Sequence, residues 1–315
     1  MLSRVADAIY WCSRYVERAE NVARFVDVNL NLMLDTPVQK REDWAALVLT
    51  TGDQDWYWSR YDQATPQKVT RFLIFDPNYP NSILSTLSRA RENAQTVREI
   101  ISREMWHSLN EFYLFVRDAS THEFSVDDMA EFYAEIMAHA AEYQGVSSAT
   151  LSRGEACHWS RFGQFLERAD KTSRILDVKY YILLPTVTEV GTTVDLVGWT
   201  ALLDSASALQ MYRQLHNLIT PEDVASFLLF DRAFPRSIRY CIHRAEESLH
   251  YITGNPLDLC SSEAERQIGL LRAKLDFDRP GDVLRSGLHE YIQGLQVLIN
   301  YIGATTQKQF FDRWS

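Results

Sequence analysis

The stretch Tyr15-Val16-Glu17-Arg18-Ala19-Glu20 decides the fold, because the chain contains it twice. It returns as Phe165-Leu166-Glu167-Arg168-Ala169-Asp170, a displacement of 150 residues. This displacement is about half of the 315-residue chain and far exceeds the roughly 20 to 50 residues typical of solenoid repeats. The sequence therefore predicts two related halves that meet near residue 150.

A second match supports the same division. Residues 65–76 align with residues 220–231, and both segments begin with Thr-Pro and end with an aspartate. This displacement is 155 residues, so the second half carries extra residues, which we place around residues 190–194. We expect one domain built from two pseudo-symmetric halves, residues 1–150 and residues 151–315, with no flexible linker between them.

Both copies of the charged stretch have the periodicity of a long helix. Apolar or small residues recur every three or four positions from Val5 to Met33, and the same phase runs from Phe162 to Leu183. Small residues at the centre of each seam would let two helix backbones approach closely: Ala19 and Ala23 in the first copy, Ala169 and Ser173 in the second. We expect the two helices to pack directly on each other, near a pseudo-twofold axis.

The Thr-Pro pairs at residues 65–66 and 220–221 are typical helix starts, with a hydroxyl cap before a proline. Each short helix should end near Asp76 or Asp231, because Pro80 and Pro235 are expected to begin the next helices.

Helical spacing continues through the rest of the chain, over residues 81–116, residues 125–143 capped by Ser125, residues 261–275 and residues 282–311. Strand-like alternation and Asn-Gly hairpins are missing. The predicted fold class is all-α, a helical bundle of two repeats packed through their first long helices.

Composition limits the function. An apolar fraction of 46% is sufficient for a folded core, and a formal net charge of −10 argues against a general nucleic-acid partner. The four cysteines, Cys12, Cys157, Cys241 and Cys260, have neither disulfide-framework nor zinc spacing. A secretory signal and an apolar run of membrane-spanning length are both missing, so we expect a cytoplasmic protein with no membrane partner.

The repeated charged stretch is the first candidate site. Two polar stripes lie beside the apolar seams: Arg14, Glu17, Asn21 and Arg24, and then Gln164, Glu167, Lys171 and Arg174. Exposed ion pairs stabilise little, and a diverged second copy would be free to lose them. Both copies nevertheless keep two acids and two arginines, since Glu17, Arg18, Glu20 and Arg24 match Glu167, Arg168, Asp170 and Arg174. Three interpretations stay open: a solvated helix face, a buried charge network joining the halves, and a cluster that binds substrate.

A second set of charges follows each short helix. Arg89 and Glu92 align with Arg244 and Glu247. Arginine suits bidentate contact with carboxylate or phosphate, so these residues are candidates for positioning an anionic group. Equally, they could pair with the repeated glutamates across helices.

Three Glu-x-x-His sequences have the ligand spacing of di-metal carboxylate proteins: Glu104 with His107, Glu155 with His158, and Glu247 with His250. The repeat argues against them, because the position equivalent to His250 is Gln95. We predict no metal site in this chain. Glycine-rich nucleotide loops and nucleophile elbows are also missing from the sequence.

The sequence resembles the alpha-E family, bacterial all-helical domains with a characteristic glutamate. The resemblance covers nearly the whole chain and rests on these segments: Ala8-Ile9-Tyr10-Trp11 leading into residues 14–21, Ser82 leading to Ala90-Arg91-Glu92-Asn93, Ser102 through Trp106 to Asn110, residues 165–170, and Gly287-Leu288-His289. One difference is Gln164, where the family commonly has a basic residue.

The resemblance implies a role beside ATP-grasp enzymes. Alpha-E proteins resemble companions of circularly permuted ATP-grasp and transglutaminase-like proteins in peptide or amide-bond modification. The implied function is that of helical partner to a carboxylate–amine ligase acting on a peptide or amine substrate, with ATP and magnesium bound by that ligase and no cofactor in this chain. Two alternatives stay open: a stand-alone acid–base catalyst acting on an activated acyl intermediate, and a non-catalytic scaffold.

On this hypothesis Glu17 and Glu167 are the candidate catalytic residues. The candidate substrate-binding residues are Arg14, Arg18, Arg24, Arg89, Glu92, Arg168, Arg174, Arg244 and Glu247. A carboxylate held among arginines usually has a lowered pKa, so a catalytic glutamate would need burial to raise it.

Overall fold

The computed structural model describes residues 1–35, 44–121, 126–182 and 193–312. Over these ranges the chain forms helices and no strands, which confirms the predicted all-α class. The helices are α1 Ser3–Asp35, α2 Trp44–Thr51, α3 Gln54–Trp58, α4 Pro66–Thr70, α5 Ile83–Thr96, α6 Arg103–Ala119, α7 Val126–Thr150, α8 Glu155–Ile182, α9 Thr193–Ser205, α10 Leu209–Leu215, α11 Pro221–Phe230, α12 Ile238–Thr253, α13 Glu263–Phe277, α14 Pro280–Ser286 and α15 Leu288–Thr306. Short π-helical turns follow α4 and α15, at Arg71–Phe75 and Gln307–Phe311.

The two long helices predicted from the repeat, α1 and α8, lie against each other as expected. The Ser13 and Ser160 hydroxyls are 2.8 Å apart in their interface, and the Tyr10 ring stacks on Phe162 with centroids 5.7 Å apart. Helices α5 and α7 pack on α1, whereas α12 and α15 pack on α8. The interface between α1 and α8 is therefore enclosed by other helices.

The backbones of α1 and α8 approach each other closely at Gly163. A Cβ atom at this position would lie 2.5 Å from the carbonyl oxygen of Tyr10, so a glycine is required there. The small residues Ala19, Ala23 and Ala169 are fully buried, as a close helix packing demands. Gly163 itself was not singled out by the periodicity.

The predicted starts and ends of the short helices are confirmed. The hydroxyls of Thr65 and Thr220 accept hydrogen bonds from the backbone N–H groups of Lys68 and Asp223, at 3.3 Å and 3.1 Å. Asp76 follows the π-helical turn after α4, and Asp231 follows α11 directly.

The expectation that Pro80 and Pro235 begin helices is wrong. Both prolines lie in the preceding turn, and α5 and α12 begin at Ile83 and Ile238. The reason is serine capping: the hydroxyls of the preceding residues Ser82 and Ser237 accept bonds from backbone N–H groups three residues on, each at 3.1 Å.

Two helical ranges are longer in the sequence pattern than in the structure. Residues 81–116 form α5 and α6, with a break at residues 97–102, and the apolar period crosses the break because Val97 and Ile101 are buried within it. Residues 282–311 fall in α14, α15 and the π-helical turn after α15. The two helices are separated at Gly287, where φ is +111° and glycine is favoured.

Helix α7 extends past the predicted residue 143 to Thr150, and α8 begins at Glu155, so the turn lies where the halves were expected to meet. Ser125, Leu183 and most of the expected insertion at residues 190–194 lie outside the described residues. The pseudo-symmetry of residues 1–150 and 151–315 stays a prediction. Among the described helices, none combines the length and the apolar character needed to cross a membrane.

Candidate functional site

The two Glu-Arg dipeptides of the repeat bind each other. Arg168 donates from Nε and Nη2 to the two carboxylate oxygens of Glu17, each at 2.7 Å. Arg18 donates in the same manner to Glu167, at 2.6 Å and 3.1 Å. Both glutamates are 0% exposed, so the pairing is reciprocal and buried between α1 and α8.

Further donors complete the coordination of both carboxylates. Arg14 Nε donates to Glu167 Oε2 at 2.8 Å, and Lys171 Nζ lies 3.6 Å from Glu167 Oε1. On the other side, Gln144 Nε2 donates to Glu17 Oε2 at 3.1 Å, and Arg236 Nη1 donates to Glu17 Oε1 at 3.4 Å.

The acids next to these glutamates are paired as well. Arg24 donates to Glu20 at 2.7 Å, and Arg174 donates to Asp170 at 2.9 Å. We call this set the charge block, with the cations Arg14, Arg18, Arg24, Arg168, Lys171, Arg174 and Arg236 and the carboxylates Glu17, Glu20, Glu167 and Asp170.

The electrostatics of the charge block favour ionised acids. Burial opposes ionisation of Glu20, but Arg236 and Arg24 outweigh it and lower its pKa to about 2. Burial likewise opposes ionisation of Glu167, yet Arg18, Arg14 and Lys171 hold its pKa well below the usual range. Burial lowers the pKa of Lys171, despite the nearby acids.

A small cavity adjoins the charge block, and we call it the α1–α8 cavity. Its volume is about 50 Å³, and its wall includes Arg18, Lys171 and Arg174. Because one water occupies about 30 Å³ of liquid volume, this space is too small for a whole small molecule and holds a group of a few atoms at most.

Asp53 also lines the α1–α8 cavity, together with Tyr79 and Asn81. Tyr79 and Asn81 donate to one oxygen of this carboxylate, at 2.7 Å and 2.8 Å. Asn81 in turn accepts a hydrogen bond from Arg18 at 2.5 Å. The wall of the cavity and the buried Glu167 pair are therefore connected.

A larger cavity lies on the Glu17 side, and we call it the α7–α8 cavity. Its volume is about 460 Å³. Arg168, Gln144 and Gln164 line it and also contact Glu17, at 2.7 Å, 3.1 Å and 3.5 Å. Neither Glu17 nor Glu167 itself lines either cavity.

The structure brings most of the predicted site residues together. Glu17 and Glu167 lie in the charge block with Arg14, Arg18, Arg24, Arg168 and Arg174. The remaining four do not join it. Arg89 and Glu92 are exposed on α5, and Arg244 and Glu247 pair with each other on α12.

Sequence reasoning missed Arg236, Asn81 and Gln144 as site residues. Asn81 and Arg236 occupy equivalent positions in the 155-residue displacement, directly before the capping serines Ser82 and Ser237. They differ in residue type, so the charges shared by the two halves do not mark these positions. Gln144 lies on α7 and has no comparable signal.

The Glu-x-x-His sequences do not build a metal centre in the described ranges. No group of three or more His, Cys, Asp or Glu side chains in these ranges is arranged to hold a metal ion. His158 instead stacks on Tyr251 with ring centroids 3.7 Å apart, and Glu155 accepts a hydrogen bond from Trp159 at 3.3 Å.

The fold and the site define an all-helical domain held together by reciprocal Glu-Arg pairs. A family model described as a predicted alpha-helical domain with a conserved ER motif, Alpha-E, matches residues 1–311. The chain belongs to the Alpha-E family. The dipeptides Glu17-Arg18 and Glu167-Arg168 are of the kind that this description names.

The chain is also similar to uncharacterized proteins of mycobacteria. One from Mycobacterium tuberculosis (strain ATCC 25618 / H37Rv) is 25% identical over 317 residues, covering 93% of this chain and 35% of the relative. Another from Mycobacterium bovis is 24% identical with the same coverage. This chain therefore spans about a third of the length of these relatives. No solved structure matches it.

Proposed function

We propose that this chain is the helical partner of an ATP-grasp-type carboxylate–amine ligase, and that the α1–α8 cavity receives the anionic end of the substrate. The observation that carries the proposal is the charge around this cavity. Three cations line it, Arg18, Lys171 and Arg174, whereas one carboxylate, Asp53, does. A carboxylate or acyl phosphate entering the cavity would balance this excess.

Among the three cations of the cavity wall, Lys171 has the longest contact to its nearest carboxylate. Its nearest carboxylate oxygens are those of Asp170 at 3.2 Å and Glu167 at 3.6 Å, and both acids have closer arginine partners. Its side chain is 18% exposed, so little water reaches the ammonium. An anion beside Lys171 would offset the effect of burial on its pKa.

The proposal assigns the chemistry of ATP to a partner. Glycine-rich nucleotide loops are missing from this sequence. In the mycobacterial relatives the segment that matches this chain is about a third of the protein, so further sequence of about twice that length accompanies it. Such an arrangement supports a helical domain that works beside another unit, as the family resemblance implies.

Glu17 and Glu167 are assigned an organising role in this proposal. Each accepts a bidentate arginine pair, and the lowered pKa of Glu167 makes it a poor proton donor. Acid–base catalysis by these residues would require the pairs to open. Arg89, Glu92, Arg244 and Glu247 lie outside both cavities and receive no substrate-binding role.

Affinity purification of the tagged chain from its native host, followed by mass spectrometry, tests the partnership. We expect an ATP-grasp protein to be recovered in amounts similar to the bait. Repeated recovery of the chain without such a protein would contradict the proposal.

Steady-state ADP formation by the reconstituted complex tests the cavity. We expect Arg174→Gln to raise the KM for the carboxylate substrate by roughly tenfold with a smaller effect on kcat, because it removes one charged contact. Arg89→Gln is the matched control, since Arg89 is exposed on α5, and its kinetics should equal those of the wild type.

A further inference from the structure

The α7–α8 cavity has a size and position that the proposed function does not use. Its volume of about 460 Å³ lies within the range of small-molecule sites. It is enclosed by α1, the last turns of α7 and the first half of α8. It lies on the Glu17 side of the charge block, whereas the α1–α8 cavity lies on the Glu167 side.

The wall of the α7–α8 cavity is rich in hydrogen-bond donors and lacks acids. Three arginines line it, Arg153, Arg161 and Arg168, together with several serine hydroxyls, and no Asp or Glu is among the lining residues. Such a wall is unusual for a chain whose net charge is −10. It favours an anionic occupant.

Two of these arginines have no carboxylate partner among the residues that the structure describes. Arg153 donates to the backbone oxygen of Ser148 at 2.5 Å and to the sulfur of Cys157 at 3.6 Å. Arg161, which is partly exposed, makes neither a hydrogen bond nor an ion pair within the described part of the chain. Arg168 differs from both, because its charge is already neutralised by Glu17.

The positive charge of these arginines affects a neighbouring histidine. The pKa of the neighbouring His158 is lowered, first by burial and then by Arg161, Arg244 and Arg153, whose effects outweigh that of Glu247. The wall also contains the Ser13 and Ser160 hydroxyls, 2.8 Å apart. In that pair one hydroxyl donates to the other, so one hydroxyl hydrogen stays available for an occupant.

We propose that the α7–α8 cavity is a binding site for a small organic phosphate, whose phosphate group pairs with Arg161 and Arg153. Two guanidinium groups that no carboxylate of the described ranges neutralises match a dianion. A phosphate monoester carries a charge of about −1.5 to −2 near neutral pH. Arginine is the side chain suited to phosphate oxygens in a planar, bidentate contact. The volume exceeds that of a phosphate ion, and Tyr143 and Phe165 provide an apolar wall for the organic part.

Isothermal titration of the full chain tests this site without any partner, so its outcome is separate from that of the proposed function. The probes are ribose 5-phosphate, AMP, inorganic phosphate and succinate. We expect ribose 5-phosphate or AMP, or both, to bind more tightly than inorganic phosphate. Succinate should bind more weakly than each of the two organic phosphates. If inorganic phosphate bound as tightly as both organic phosphates, the proposal of an organic ligand would be wrong. If succinate bound more tightly than the organic phosphates, the proposal of a phosphate ligand would be wrong.

The variant Arg161→Gln assigns the binding to this cavity. We expect it to raise the Kd of the bound organic phosphate by about tenfold or more, because one charged contact is lost. Arg161 has no hydrogen-bond or ion-pair partner in the described part of the chain, so the thermal midpoint of the free variant should equal that of the wild type. The matched control Arg89→Gln should leave the Kd unchanged. Absence of binding by both organic phosphates at millimolar concentration, or equal binding by Arg161→Gln, would overturn the proposal.

Discussion

Arg168 donates two hydrogen bonds of 2.7 Å to the carboxylate of Glu17, and the two residues come from Glu-Arg dipeptides 150 residues apart. The reciprocal pair of Arg18 and Glu167 lies beside it. Charges buried at such a depth stabilise a protein only when both partners are present, because the loss of one leaves the other without compensation. The junction of α1 and α8 therefore depends on both pairs.

Glu17→Gln should lower the free energy of unfolding by about 3 to 5 kcal/mol, the usual effect of breaking a buried pair. Glutamine preserves the shape of the side chain but leaves Arg168 without its bidentate counter-ion. Urea denaturation monitored by circular dichroism measures the change. Glu92→Gln on the exposed face of α5 is the control and should change the free energy by less than about 0.5 kcal/mol.

A double-mutant cycle separates the pair from the rest of the charge block. Combining Glu17→Gln with Arg168→Met should be less destabilising than the sum of the single changes, by about 1 to 3 kcal/mol. Strictly additive effects would mean that the two residues are stabilised by their other neighbours instead.

The helices and the meeting of the repeated charges were predictable from the sequence. Helical periodicity and the repeat can both be read from the residue type at each position. The contact of α1 with α8 followed from two helices of the same phase with small residues at their centres. The position of Arg236 was not predictable in this way, because it reaches the charge block from the turn before α12 and aligns with an asparagine.

The two cavities were beyond sequence reasoning for a related reason. A cavity forms where side chains from several helices leave the space between them unfilled. The sequence of any one helix does not show how much space its neighbours leave. Arg161 illustrates this, since its spacing on α8 resembles that of any surface arginine. Only the three-dimensional structure shows that it has no ion-pair partner within the described ranges.

Gly163→Ala should destabilise the protein although alanine is the better helix former. The added Cβ would meet the Tyr10 carbonyl oxygen at 2.5 Å, and the two backbones would have to separate. We expect a loss of about 1 to 3 kcal/mol in the free energy of unfolding.

Gly145→Ala on α7 is the matched control for this substitution. Gly145 is exposed, and an added Cβ meets no other atom within 4 Å. This variant should be stabilised, by up to about 1 kcal/mol from helix propensity alone. Similar changes in both variants would contradict the close approach of α1 and α8.

Glu20 should make the stability depend on pH in the acid range. Its pKa of about 2 in the folded protein lies below the ordinary value of 4.5, so its contribution is present above pH 4.5 and is lost as the pH falls toward 2. The difference in unfolding free energy between the wild type and Glu20→Gln should therefore shrink, by on the order of 2 to 3 kcal/mol, between about pH 6 and pH 2.5. A difference that stays constant over this range would contradict the pairing of Glu20 with Arg236 and Arg24.

Lys171→Met should leave the free protein as stable as the wild type or more stable, by up to about 1 kcal/mol. Burial lowers the pKa of this lysine below 10.5, and a lowered lysine pKa means that the charged form opposes folding at neutral pH. Methionine has a similar length and removes one cation from a block in which cations exceed carboxylates. Arg18→Met is the contrasting variant, because it removes the bidentate partner of Glu167, and it should cost about 3 to 5 kcal/mol in urea denaturation. A loss above about 2 kcal/mol for Lys171→Met would mean that Glu167 and Asp170 require this charge for folding, and that the α1–α8 cavity holds no excess charge for a substrate.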